Sequence, residues 1–144
     1  MKLTEIIEAF NENLTKEYGA ILLYIELRKL PLMARNVKTA ALISSLAEDE
    51  MHHAEMLADK IASLGGKSTW QIAPFERKST VKETLIQIIE SEEQAIEDYS
   101  NLIDRLADQP KLREMLIAIL EDERRHKERT EDLLKSVSGR KTNP

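Results

Sequence analysis

The chain has 144 residues, 42% of them apolar and 33% charged, with a formal charge of −5 and no cysteine. That length fits one domain, 1–144, with a full hydrophobic core, and the missing cysteines exclude disulfides, thiolate catalysis and iron–sulfur ligation. A mildly acidic surface is a poor match for nucleic acid or anionic lipid, and with no signal-like apolar run after Met1 and no stretch long enough to span a bilayer, a cytoplasmic protein is expected.

Only 4 Gly and 4 Pro occur, and long unbranched side chains dominate, which favours helix throughout. The first predicted helix covers about 4–29. Ile7, Phe10, Leu14, Glu17, Ile21 and Tyr24 form its seam, with Ile6, Ala20 and Ile25 beside it, and Pro31 is expected to stop it. The second runs over 37–64 through Ile43, Leu46, Ala47, Glu50, His53, Leu57 and Ile61, and Gly65-Gly66 ends it. The third, 80–107, opens with Thr80 and Glu83 as a capping box. Its seam is Leu85, Ile89, Glu92, Ile96, Tyr99, Ile103 and Leu106. The fourth, 110–137, starts at Pro110 and carries Leu112, Leu116, Ile119, Glu123, His126, Thr130, Leu133 and Val137. Gly139 and the polar tail behind it are expected to end the fold.

The two halves echo each other. Glu17-x-x-Ala20-Ile21-x-x-Tyr24 parallels Glu92-x-x-Ala95-Ile96-x-x-Tyr99, and Asp49-Glu50-x-x-His53 parallels Asp122-Glu123-x-x-His126. The midpoint between Glu17 and Glu50 is 33.5, inside the first turn, and that between Glu92 and Glu123 is 107.5, beside the second. Antiparallel hairpins therefore bring all four glutamates to one height, about 20 Å from the helix ends. The 65–79 linker reaches about 50 Å when extended, enough to run the length of a bundle. An all-α antiparallel four-helix bundle with a long crossover between the second and third helices is predicted. Trp70, Ile72, Pro74 and Phe75 are expected to pin that crossover to the bundle or to a partner.

Residues three apart on a helix share a face, so each Glu-x-x-His aims a carboxylate and an imidazole the same way. Four glutamates and two histidines on the apolar seams of four helices would cost several kcal/mol per charge if left uncompensated. Two divalent cations offset four carboxylates, and oxygen plus imidazole donors suit iron or manganese. Glu50 and Glu123 are expected to bridge, with Glu17 and His53 on one metal and Glu92 and His126 on the other. Glu93, about 100° round the helix from Glu92, is the fallback, and His52 is expected to face solvent. Asp49 and Asp122 are placed to hold the histidine of the opposite half. Tyr24 and Tyr99, one heptad from Glu17 and Glu92, are expected to pack in the core, to bond the ligand carboxylates or to take part in radical transfer.

These motifs resemble the ferritin-like diiron superfamily, especially its bacterioferritin and rubrerythrin branches, over nearly the whole chain. The resemblance implies that Glu17, Glu50, His53, Glu123 and His126 are ligands, with Glu92 carried over in an offset register. It implies two iron ions (manganese as the alternative) and oxidation of Fe(II) by dioxygen or hydrogen peroxide, in iron handling or oxidative-stress defence. Met51 falls where bacterioferritins clamp haem between subunits, so haem is implied there against the plainer reading of a packing methionine. The short tail leaves no room for the fifth helix of ferritin cages, so a homodimer is expected, with a larger assembly as the alternative. The alternative functions are a rubrerythrin-like peroxidase fed by an external electron donor, a manganese catalase-like enzyme, and a metal-binding scaffold without turnover.

Overall fold

A computed structural model describes residues 1–138 of the chain. Among these residues there is no strand. The elements are α1 (Leu3–Leu27), α2 (Lys29–Met33), α3 (Val37–Ser63), α4 (Val81–Arg105) and α5 (Pro110–Ser138). The expected polar tail from Gly139 onward lies outside the described residues. No helix among the described residues is long and apolar enough to cross a membrane.

Local chemistry sets the helix ends. Asn36 Oδ1 accepts the Thr39 N–H at 3.1 Å to open α3, and Thr80 Oγ1 accepts the Glu83 N–H at 3.1 Å to open α4. At the far end of α3, Gly66 N–H donates to Ile61 C=O at 2.9 Å and Gly65 N–H to Ala62 C=O at 3.0 Å. This double bond closes the helix, and it needs the left-handed φ of 83° that Gly65 adopts. Pro31 does not stop α1 as expected. The chain breaks at Arg28, and Pro31 is the third residue of the short α2, a first-turn position where its missing N–H removes no helical bond.

α1 packs on α3, α4 packs on α5, and the two hairpins close on each other through α1–α4 and α3–α5. The crossover then climbs along α1. Gly66 sits against Ile7, Asn11 bonds Lys67 C=O and Thr69 N–H, Ala73 N–H donates to Thr15 C=O at 3.1 Å, and Arg77 pairs with Glu26. α4 therefore starts at the same end of the bundle as α3, and the two run parallel. These bonds, rather than the linker's apolar groups, hold the strap. Of the groups expected to pin it to the bundle or to a partner, Trp70 is 92% exposed, Ile72 50% and Phe75 38%, which corrects the bundle alternative for Trp70. The strap carries unpaired backbone groups that α1 side chains and carbonyls satisfy, so polar contacts fix its path.

The core is in two parts. One is built on Phe10, Leu14, Leu57, Ile61, Leu106 and Leu116. The other is built on Leu23, Leu27, Ile43, Leu46 and Ile88. Two seam assignments shift. Leu23 and Leu27 are buried where Ile25 is 41% exposed, and Ile88 is fully buried where Ile89 is half-buried. Which of two nearby apolar residues turns inward depends on where the neighbouring helices stand, which periodicity does not state.

Candidate metal centre

Between the two apolar cores lies a belt of ionisable side chains. Glu17 comes from α1, Glu50 and His53 from α3, Glu92 from α4, and Glu123 and His126 from α5. Each is at most 4% exposed. Their ligand atoms form two groups. Glu17, Glu50, His53 and Glu123 make one, and Glu50, Glu92, Glu123 and His126 make the other, with the atoms of each group within 4.8 Å of one another. Glu50 and Glu123 belong to both. Glu93 points outward and lies 3.5 Å from Lys127, so of the two neighbours Glu92 enters the belt. His52 is exposed.

The histidines are oriented in the same way. His53 Nδ1 faces inward, 2.9 Å from Glu123 Oε1 and 3.2 Å from Glu50 Oε2. Its Nε2 turns outward to Asp122 Oδ2 at 2.8 Å. His126 Nδ1 faces Glu50 Oε1 at 3.1 Å and Glu92 Oε1 at 3.6 Å, and its Nε2 meets Asp49 Oδ2 at 2.8 Å. Each aspartate thus serves the histidine of the other hairpin, as expected. Such a partner accepts from Nε2–H and leaves Nδ1 as the inward donor atom. The tyrosines cross over too. Tyr24 on α1 donates to Glu92 Oε1 at 2.5 Å, and Tyr99 on α4 donates to Glu17 Oε1 at 2.5 Å. Both carboxylates that would be terminal are therefore held by a phenol from the other half.

Charge in the belt is unbalanced. Burial and the neighbouring Glu50 charge push the Glu17 carboxyl well above its usual range. Burial, then Glu50 and Glu92, do the same to Glu123. Burial also opposes charge on Glu92, but bonds from His126, Glu123 and Tyr24 and the pull of His126 outweigh it and hold Glu92 low. Burial works against a charged His126 too, yet its contacts with Glu50 and Glu92 push it up to about 11. Burial raises both tyrosines well above the ordinary phenol, helped by Glu92 at Tyr24 and by Glu17 at Tyr99.

The residues fit a pair of divalent cations. Glu92 Oε2 and Glu123 Oε1 are buried without a hydrogen-bond partner; Glu123 Oε1 is close to His53 Nδ1 but out of line with it. Orphaned carboxylate oxygens in a belt of four carboxylates are the donor atoms that cations would satisfy. Met51 lies apart, 42% exposed on the outer side of α3.

Sequence reasoning did not find what borders the belt. A cavity of about 220 Å³ reaches Glu17, Glu50 and Glu123 from between α1 and α4, and Ala73, Pro74 and Phe75 of the strap form part of its wall. Lys16 Nζ and Asp98 Oδ2, 2.7 Å apart, stand among its lining residues. No local pattern marks such a cavity, because the strap's position is a tertiary fact.

Comparison of the chain with curated proteins yields no match. Among solved structures, a ferritin-like, diiron-carboxylate protein from Bacillus anthracis is 31% identical, with 93% of this chain and 99% of that one covered and a TM-score of 0.85. The Desulfovibrio desulfuricans bacterioferritin, described with its diiron site in different catalytic states, is 25% identical over 96% of this chain and 82% of its own, with a TM-score of 0.90. A dodecameric thioferritin from Bacteroides fragilis, a bacterioferritin-related protein, shares the fold at 21% identity, covering 96% of this chain and 89% of that one with a TM-score of 0.87. Residues 7–139 match the family described as the ferritin-like domain. With residues 7–139 matched and a helical bundle of this topology, the chain belongs to the ferritin-like domain family.

Proposed function

We propose that this protein is a diiron oxidoreductase that oxidises Fe(II) with dioxygen or hydrogen peroxide. The observation that supports this reading most is the pair of four-residue groups that share Glu50 and Glu123. In this reading Glu17 and His53 hold one ion, Glu92 and His126 the other, and Glu50 and Glu123 lie between them. Two ferrous ions supply two electrons, reducing dioxygen to hydrogen peroxide or hydrogen peroxide to two waters, with two protons taken up in each case.

The chain's own groups do the rest. Asp122 and Asp49 keep the outward nitrogens of His53 and His126 protonated, so the inward nitrogens can give a lone pair to metal. His126 gives up its inward proton when an ion arrives, and Glu17 and Glu123 give up theirs. Metal uptake therefore releases protons. Tyr24 and Tyr99 fix the terminal carboxylates in place while the shared pair stays free to adjust. Two apolar cores above and below keep bulk water out.

Anaerobic titration with Fe(II), followed by dioxygen or peroxide, tests the proposal. Two irons per chain and a ferric absorbance that forms within seconds are expected. Tight metal binding with no oxidation would favour the scaffold, and peroxide disproportionation by the manganese-loaded protein would favour a catalase. Glu50→Ala should remove binding of both ions; loss of only one would count against its shared role.

We further infer self-association in the cytosol, as a dimer or a larger assembly. The exposed groove formed by Tyr18, Leu22, Trp70 and Ile72 supports it, since apolar surface of this kind favours a partner. Haem bound through Met51 would need a second chain to face that exposed residue.

A further inference from the structure

The cavity beside the belt is far larger than the proposed oxidants require. Its volume is about 220 Å³, whereas a water-sized molecule occupies about 30 Å³ and a cavity of about 150 Å³ with aliphatic walls takes benzene. Its walls are mainly apolar: Ala20 and Leu23 of α1, Ala95 of α4, and Pro74 and Phe75 of the strap. Its two ends are polar. At the outer end Asp98 holds Lys16 at 2.7 Å and Gln94 at 3.0 Å. At the inner end are Glu17 and Tyr99, each at most 4% exposed. A flat apolar body with a hydrogen-bonding group at each end matches this shape. The small side chains of Ala20 and Ala95, three residues after Glu17 and Glu92, are what leave room for it.

We propose that this cavity binds a neutral single-ring dihydroxy aromatic of the hydroquinone class, and that the bound molecule re-reduces the diferric centre. This rests on the diiron reading above. The chain has no cysteine and so no thiol or thiolate-bound iron with which to return electrons after each oxidation. Hydroquinone gives two electrons and two protons and becomes the quinone, while two Fe(III) become two Fe(II). Iron held by Glu17, Glu50, His53, Glu92, Glu123 and His126 would relay those electrons, and hydrogen peroxide would take up the two protons, break its O–O bond and leave as two waters. The sum is hydroquinone plus hydrogen peroxide giving quinone plus two waters. Glu17, which would hold iron, and Tyr99, which donates to Glu17, both line the cavity, so the inner hydroxyl rests against a ligand carboxylate and the phenol that holds it.

The metal-free protein under nitrogen is titrated with hydroquinone and followed by calorimetry and by ligand-observed NMR. Saturable one-to-one binding with Kd on the order of 1 mM or tighter is expected for a ligand of this size. Ala95→Leu, which fills the cavity, should weaken it tenfold or more. Phe75→Ala, a strap change with little risk to the bundle, should weaken it about threefold, and two-ring 1,4-naphthohydroquinone should not bind. Anaerobic hydroquinone should then bleach the ferric absorbance of the iron-loaded wild type, with one quinone formed per two irons. No saturable binding to the metal-free wild type, equal affinity in both variants, or ferric iron left oxidised with hydroquinone bound would each overturn the inference. A wild type that oxidises Fe(II) yet gives any of these results keeps its proposed function and loses only this one. A wild type that binds hydroquinone but never oxidises Fe(II) would overturn the diiron reading and the reductant role together.

Discussion

At Glu123 the protein keeps a carboxylate 2% exposed, with one oxygen unpartnered and three other carboxylates nearby. Gln at this position keeps the volume and is neutral without taking up a proton on folding, so it should relieve the metal-free fold. Glu123→Gln is expected to stabilise the metal-free protein by about 1–3 kcal/mol, raising Tm by roughly 2–4 °C per kcal/mol, and to abolish binding of both ions. Thermal melts with and without chelator, together with metal analysis, check both halves of this outcome. The aspartates act one step further out. Asp49→Asn or Asp122→Asn should lower metal affinity by about 10–100-fold with little change in the metal-free Tm, readable in competition with a chromophoric chelator.

The same groups set a pH dependence. Glu17 and Glu123 have folded values above the ordinary 4.5, so the stability they contribute is complete below 4.5 and is lost as pH rises through the folded values. His126, raised from 6.5 to about 11, contributes stability that is complete below 6.5 and is lost as pH climbs toward 11. Glu92 has the opposite sign: lowered from 4.5, it contributes above that value and loses its effect as pH falls through its folded value. Between pH 5 and 9 the metal-free Tm should therefore fall with rising pH. Saturating metal should flatten or reverse that slope, because the same sites then bind cations instead of protons. A metal-free Tm that rose across this range would contradict the charge pattern of the belt.

At the level of elements, the four long helices were legible because apolar periodicity, caps and glycines agree. Thr80, Asn36 and Gly65 each do locally what their chemistry requires. Glu92 rather than Glu93 was legible for the same reason, since only Glu92 has apolar neighbours at −7, −3, +4 and +7. The strap was not legible in this way. Its apolar residues are largely exposed, and it is seated by Asn11, Thr15 and the missing side chain of Gly19. A Cβ on Gly19 would stand 2.8 Å from the Ala73 carbonyl oxygen. Gly19→Ala should therefore lift the strap, cost about 1–3 kcal/mol and speed proteolytic cleavage within 66–79. Denaturant midpoints and timed digestion measure the two effects.

For the whole molecule, the apolar groove around Trp70 is the surface on which assembly is expected. Trp70→Glu should shift the protein toward monomer in light scattering while leaving Tm of the isolated bundle nearly unchanged, because a residue 92% exposed contributes little to its own core. The sequence by itself determined the helices, their antiparallel pairing and the common height of Glu17, Glu50, Glu92 and Glu123, since rise per residue and hairpin symmetry are local arithmetic. It also determined which histidine of the His52–His53 pair turns inward. The reach of Asp49 and Asp122 across hairpins follows from the same echo of the two halves, whereas only the tertiary structure decided that Tyr24 and Tyr99 exchange carboxylates and that the crossover leaves a cavity open to the belt. Those contacts join residues far apart in the chain, and their geometry depends on how one hairpin is set against the other, which no single helix encodes.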